Sequence, residues 1–159
     1  MADLRSSYLG LELRNPVIAS AGPLSQSVED IKALADAGVG AVTMFSLFEE
    51  QLLRDAERLV ELEEQFADIT PEAISFFPEV PRAEADAVTN YLRLVEKGAQ
   101  AIDVPLIASG GAGTTAHFVE AARAGADAVL AASVFHYGRL TIVGVKQELA
   151  RAGFEVRGV

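Results

Sequence analysis

The segment of this chain best suited to chemistry is Ser109-Gly110-Gly111-Ala112-Gly113-Thr114. It follows an apolar run, Pro105 to Ala108, and precedes a helix-like stretch. Glycines at such a junction let the backbone approach an anion closely, and the helix behind them offers free N–H groups and the positive end of its dipole. A second turn, Ala131-Ala132-Ser133, closes the next apolar run. If the two runs are adjacent parallel strands, these loops lie side by side, as the paired loops that hold phosphate late in (βα)8 barrels do. The expected chemistry is therefore backbone binding of phosphate or sulfate by Ser109, Gly110, Gly111, Ala112, Gly113, Thr114, Ala132 and Ser133. The competing reading is a plain tight turn.

Other chemistries find less support. The 159 residues contain no Cys, which removes disulfides, thiolate metal sites and a cysteine nucleophile. No metal site is expected. A formal net charge of −10 argues against nucleic acid as a partner. The apolar runs are far shorter than the roughly 20 residues of a membrane helix, and no signal segment is recognised, so a cytoplasmic protein is expected. His117 reads as a surface or capping residue in the first turn of a helix. His136 reads as a packed side chain, Asp127 as a turn residue, and Glu61 to Glu64 as a solvated helix face.

The elements that must position the glycine loop follow from periodicity. Pro16–Ser20, Ala41–Phe45, Pro105–Ser109 and Ala128–Ala132 read as buried strands. Ser27 caps a helix that ends at Gly38, Thr114 or Thr115 caps one that ends at Gly125, and Thr141 caps the last one. Amphipathic helices are expected from Glu49 to about Phe66 and from about Ala83 to Ile102, the second with a stripe of Val88, Leu92, Val95, Ala99 and Ile102. A single helix is the usual crossover, so residues 49–82 read as an insertion.

The chain also repeats itself. Residues 16–22 (PVIASAG) match residues 105–111 (PLIASGG) at an offset of 89, with five of seven positions identical. Residues 37–42 match 124–129 at an offset of 87, and Ser46 and Phe48 continue onto Ser133 and Phe135. Internal similarity at this spacing means two copies of one βαβα unit. The expected fold is α/β, with four parallel βα units forming half of a (βα)8 barrel within a single domain, residues 1–103 holding the first pair and 104–159 the second. A complete barrel needs about 250 residues, so closure calls for a homodimer. The alternative is a flavodoxin-like doubly wound sandwich.

Two resemblances sharpen these expectations. Residues 104–113 (VPLIASGGAG), His117-Phe118, Ala124 to Ala128 and Ala131 to Tyr137 resemble the C-terminal quarter of the cyclase subunit of imidazole glycerol phosphate synthase, over about 104–157. That resemblance implies a substrate phosphate bound by backbone N–H groups, with Gly111, Ala132 and Ser133 at the matching positions. Residues 8–17 (YLGLELRNPV), 19–23 (ASAGP), 47–51 (LFEEQ) and 75–79 (SFFPE) resemble the N-terminal part of dihydroorotate dehydrogenase-like flavoproteins, over about 4–109. Together they imply an engineered chimera joined at the shared strand Pro105–Ser109.

The resemblances also imply what is lost. The cyclase family's catalytic aspartates have no counterpart: the first strand has no acid, and the strand bearing the other lies outside the matched part. The dehydrogenase family's FMN would lie over Ala19, Ser20, Ala21 and Gly22, but the second strand has no Lys and the strand carrying the base is absent. No catalytic residue and no required cofactor are therefore expected, with FMN docking on the phosphate loops as an alternative. Ser46 with Gly22 is a candidate second anion site, and a ligand-free scaffold is the remaining alternative.

Overall fold

The computed structural model describes residues 3–47 and 83–157. The helix expected at 49–66 and the rest of the 49–82 insertion lie outside the described residues.

The chain opens with a hairpin that the periodicity did not announce. Strands β1 (Ser6–Tyr8) and β2 (Leu11–Leu13) pair antiparallel, with Tyr8 opposite Leu11. The two linking residues, Leu9 and Gly10, have φ of 52° and 90°. Two consecutive positive φ angles are what a tight hairpin link demands, because its twist then matches that of the strands. The hairpin delivers Arg14 and Asn15 to the end of the first helix, α1 (Val28–Asp36). The Arg14 guanidinium donates to the carbonyls of Ala35 and Val39, and Asn15 Nδ2 donates to the Gly38 carbonyl at 2.7 Å. These bonds satisfy acceptors that a helix terminus leaves open.

Four parallel strands follow: β3 (Ile18–Ala19), β4 (Ala41–Thr43), β5 (Leu106–Ser109) and β6 (Ala128–Leu130). Their order in the sheet is their order in the chain. The internal repeat reappears in the register. Ile18 pairs with Ala41 and Ala19 with Val42, while Ile107 pairs with Ala128 and Ala108 with Val129. Even single bonds recur: Gly40 N–H to the Val17 carbonyl at 2.7 Å, and Asp127 N–H to the Leu106 carbonyl at 2.9 Å. Asp127 is more than a turn residue, because its carboxylate also accepts the Leu106 N–H at 2.9 Å.

The remaining helices are α2 (Ala83–Ala101), α3 (Thr115–Arg123), the short α4 (Ser133–His136) and α5 (Ile142–Arg151). Helix α1 touches α2, α2 touches α3, and α3 touches α5. The helices thus line up in strand order, as right-handed crossovers between successive neighbours require. This arrangement is α/β with a four-stranded parallel sheet, consistent with half of a (βα)8 barrel. It overturns the flavodoxin-like alternative, whose strand order must reverse to place helices on both faces. Among the described residues no helix is long and apolar enough to cross a membrane.

The core lies between sheet and helices. Val42 and Met44 of the second strand segment and Leu106 and Ala108 of β5 meet Ile31, Ala35, Tyr91 and Val95, all buried. A smaller cluster joins Phe118, Val134 and Val145. The strands are shorter than expected at their ends. Pro16 lacks an N–H for the ladder, the Val17 N–H is taken by the Asn15 side chain at 3.0 Å, and Ala132 caps α4 instead of extending β6.

Gly40 is buried against the Asn15 carbonyl, where a Cβ would collide with backbone. Gly40→Ala is expected to lower unfolding stability by about 1–3 kcal/mol, the usual range for overpacking. Urea denaturation checks this, and an unchanged midpoint would remove the contact as a constraint.

Candidate functional site

The site is built on an irregularity in the sheet. Thr43 pairs with Ile107, yet the next parallel bridge joins Leu47 to Gly110. Four steps on one strand are matched to three on the other, so one residue is extra. The ladder bonds agree: Met44 N–H donates to the Ile107 carbonyl at 2.9 Å, and Leu47, not Ser46, donates to the Ser109 carbonyl at 3.3 Å. Met44 and Phe45 consequently both join the core under the helices, where strict alternation allows only one of them. The bulge then turns Ser46 so that its Oγ lies 2.9 Å from Ser109 Oγ.

Tyr91 of α2 completes this corner. Its hydroxyl donates to the Ser109 carbonyl at 3.0 Å and accepts the Ser109 N–H at 2.8 Å. Its ring meets Phe45 edge-on, with centroids 5.3 Å apart at 75°. The residue is 6% exposed. Sequence reasoning passed over Tyr91 when it traced the stripe through Val88, Leu92 and Val95. The available signal was its position one helical turn before Val95.

Beyond Ser109 the chain turns through Gly110 and Gly111, whose φ angles are 77° and 72°. Side chains rarely take this conformation, and a Cβ on Gly110 would meet the backbone of Leu47 at 2.9 Å. Thr114 is the N-cap of α3, as expected, but its hydroxyl makes no capping bond. Ser27 and Thr141 do cap, accepting from Asp30 N–H and Gly144 N–H at 3.1 Å each. At α3 the capping side chain is His117, whose Nδ1 accepts the Gly113 N–H at 3.1 Å.

Not every residue expected to bind an anion presents its N–H outward. Ser109 gives its N–H to Tyr91, Gly110 gives its N–H to the Leu130 carbonyl at 3.1 Å, and Gly113 gives its N–H to His117. Among the described residues no acceptor meets the N–H of Gly111, Ala112 or Thr114. The bond from Gly110 to Leu130 also sets the glycine loop beside the turn through Ala132 and Ser133. Both of those residues are exposed, and Ser133 opens α4, where first-turn N–H groups lack helical partners. A narrow, mainly apolar cleft lies behind the loop, lined by Leu47, Tyr91, Gly111, His117 and Phe118.

The first repeat is arranged differently. Ala19 ends β3 half-buried, Ser20 and Ala21 are exposed, and Gly22 leads into a 3-10 turn at Pro23–Ser25. The Gly22 carbonyl accepts both the N–H and the hydroxyl of Ser25, at 3.2 and 3.0 Å. Ser46 bonds to Ser109 rather than joining Gly22 in a second anion site, because the bulge carries it into the next strand's corner. His136 is exposed with its ring edge-on to Tyr137, not packed in the core as expected. Among the described residues no group of His, Asp or Glu could hold a metal ion.

Known proteins match this half of the chain. The family model described as histidine biosynthesis protein covers residues 90–141. The imidazole glycerol phosphate synthase subunit HisF of Beutenbergia cavernae is 65% identical over 66 residues, 42% of this chain and 26% of that protein. The same subunit from Thermobifida fusca is 58% identical over 66 residues, with the same coverage. That from Leifsonia xyli is 74% identical over 54 residues, 34% of this chain and 21% of that protein. The C-terminal part of this chain is similar to HisF. The chain spans about a quarter of the length of these relatives. The family match starts at residue 90, inside α2, so the likeness reaches upstream of the 104 expected from motifs. It takes in Tyr91.

Burial pushes the Tyr91 phenol above its ordinary value of 10.0, with the bond to Ser109 opposing in part. The unfolded chain therefore loses this proton at lower pH than the folded one. Stability is unaffected below about pH 10 and falls above it, where the unfolded state binds fewer protons. Urea midpoints at pH 8 and pH 10.5 are expected to separate more for the parent than for Tyr91→Phe. Equal separations would show that the phenol ionises freely.

Proposed function

We propose that this chain is a phosphate-binding half-barrel without catalytic activity of its own. The observation that carries the reading is the Gly110 N–H to Leu130 bond. It ties the glycine loop, whose Gly111 and Ala112 N–H groups meet no acceptor among the described residues, to the end of the adjacent parallel strand that leads into the exposed Ala132-Ser133 turn. That is where paired loops hold phosphate in barrels. The relatives that match this segment are named for imidazole glycerol phosphate, which supports a phosphate-bearing small molecule as the ligand class.

Catalysis is not proposed, because none of the residues of β3 to β6 is acidic. An FMN-dependent oxidoreductase is the competing class. The hydroxyls at the sheet's C-terminal end do not favour it, since Ser46 and Ser109 bond to each other rather than standing free for a ring. With these hydroxyls paired, the strand ends do not fit a flavin ring.

The same reading includes a homodimer. Among the described residues, β3 and β6 each have a neighbour on one side only. Val17 beside β3 is 61% exposed and Leu130 on β6 is 55% exposed. A second copy would supply four more strands and cover both edges, which sheets seldom leave bare. The proposed origin is a chimera of two barrel families joined by engineering, a reading supported by the resemblance of the first half's motifs to dihydroorotate dehydrogenase-like flavoproteins and by the similarity of the C-terminal part to HisF. A genome encoding the whole chain in one reading frame would overturn that origin.

Calorimetric titration with inorganic phosphate is expected to give saturable heat, abolished by Gly111→Asp, which places a carboxylate at a positive φ beside the anion. If the loop were a plain turn, the parent would give no heat and the variant would differ in stability alone. Uptake of added FMN with a flavin absorption spectrum would favour the oxidoreductase. Light scattering is expected to give twice the chain mass of 16.8 kDa, with Leu130→Asp returning the monomer. A monomeric parent would remove the dimer and leave the phosphate reading standing.

A further inference from the structure

We propose that Tyr91 is the positioning residue of the anion loop: its hydroxyl fills the gap opened by the bulge and thereby holds the Gly110–Gly111 turn in its left-handed conformation. The inference rests on the phosphate-binding reading of that loop. It begins with a shortfall in the ladder. In a regular parallel sheet the N–H and C=O of Ser109 would both bond to the strand carrying Phe45. The extra residue pulls that strand away, so Leu47 reaches the Ser109 carbonyl only at 3.3 Å. No backbone acceptor meets the Ser109 N–H, and a buried amide without a partner is unfavourable. A phenol hydroxyl is one group that can donate and accept at once. Tyr91 uses both capacities on this one residue, at 3.0 and 2.8 Å.

The geometry of the loop follows from that clamp. Ser109 is held by Tyr91 on its main chain and by Ser46 on its side chain, and the next N–H is held by Leu130. Three successive anchors end where the positive φ angles begin. The glycines then leave Ser109 from a fixed point, with the Gly111 and Ala112 N–H groups meeting no acceptor among the described residues. Tyr91 itself is buried and does not reach the exposed side of the loop, so it acts through Ser109 and not on the ligand.

The test uses 15N-labelled full chain, titrated with inorganic phosphate and followed by amide shifts and hydrogen exchange. Three proteins are compared well below their unfolding midpoints: the parent, Tyr91→Phe, and Val95→Ala. The last removes core packing one turn away without touching the loop. In the parent, the Gly111 and Ser133 amides are expected to shift saturably. Val95→Ala should bind as the parent does. Tyr91→Phe should bind about fivefold more weakly, the effect of losing one to two net hydrogen bonds on an aimed loop, and should exchange Ser109 and Gly110 faster while α5 stays protected. Binding within twofold of the parent, or a uniform rise in exchange like that of Val95→Ala, would overturn the proposal. If phosphate shifts nothing in the parent, the anion reading fails, and the exchange pattern still decides whether Tyr91 orders the loop. If Tyr91→Phe does not fold, the parent's Ser109 amide decides: exchange as slow as that of Met44 supports the clamp, and exchange as fast as that of Gly111 overturns it.

Discussion

A right-twisted strand passes the chain to the next parallel strand through a right-handed crossover, and four strands laid down in sequence order repeat that movement without reversal. Much else in this molecule follows from that constraint. Among the described residues, α1, α2, α3 and α5 touch one another in sequence order and form a single row. The main apolar cluster lies between that row and the sheet. The C-terminal ends of all four strands point the same way, which brings the loops after β5 and β6 together. It also leaves β3 and β6 each paired on one side only among the described residues. A doubly wound sheet escapes this by reversing direction once, and this chain does not reverse.

The sheet is interrupted at the strand end from which the glycine loop leaves. Bulges concentrate near active sites because one inserted residue re-aims the side chains after it. Here it sends Phe45 under the helices and Ser46 towards Ser109. The cost of the interruption is a buried Ser109 N–H with no ladder partner and a carbonyl that Leu47 reaches only at 3.3 Å. An unsatisfied buried group costs about 1–3 kcal/mol, enough to shift the strand ends unless something replaces the lost bonds. Tyr91 replaces them and buries its ring against Phe45 in the same movement. The packing that the bulge creates is thus what brings its own remedy into reach.

The sequence made the architecture legible and left the interruption hidden, for separable reasons. The repeat offsets of 89 and 87 residues reproduce the strand register residue for residue, because pairing is inherited with the unit. The caps at Ser27 and Thr141 were readable because capping depends on local residue type. The hairpin was not, because Leu9 takes a positive φ that its side chain disfavours, and no pattern of residues announces it. Nor was the bulge, because Met44-Phe45-Ser46-Leu47 is apolar enough to suit either face, so a one-residue slip leaves no mark on periodicity. The glycine loop was readable as a segment, but which of its N–H groups stay open is decided in three dimensions. The partners of the Ser109, Gly110 and Gly113 N–H groups are Tyr91, Leu130 and His117, none of them adjacent in sequence.

The two repeats show why similar segments arrive at different local chemistry. Ser20-Ala21-Gly22 and Ser109-Gly110-Gly111 occupy equivalent places, as do Ser46 and Ser133. In the second unit, glycines at positive φ free the backbone to turn sharply, and β6 stops early so that Ser133 opens a helix. In the first unit, Pro23 removes an N–H, and the Gly22 carbonyl folds the loop onto Ser25. The bulge then takes Ser46 out of the position its counterpart keeps and bonds it to Ser109. The first unit's serine has become part of the support for the second unit's loop. A duplicated βαβα unit need not yield two equivalent loops: in one copy the glycine turn leaves its N–H groups open, while the other copy braces the strand from which that turn projects.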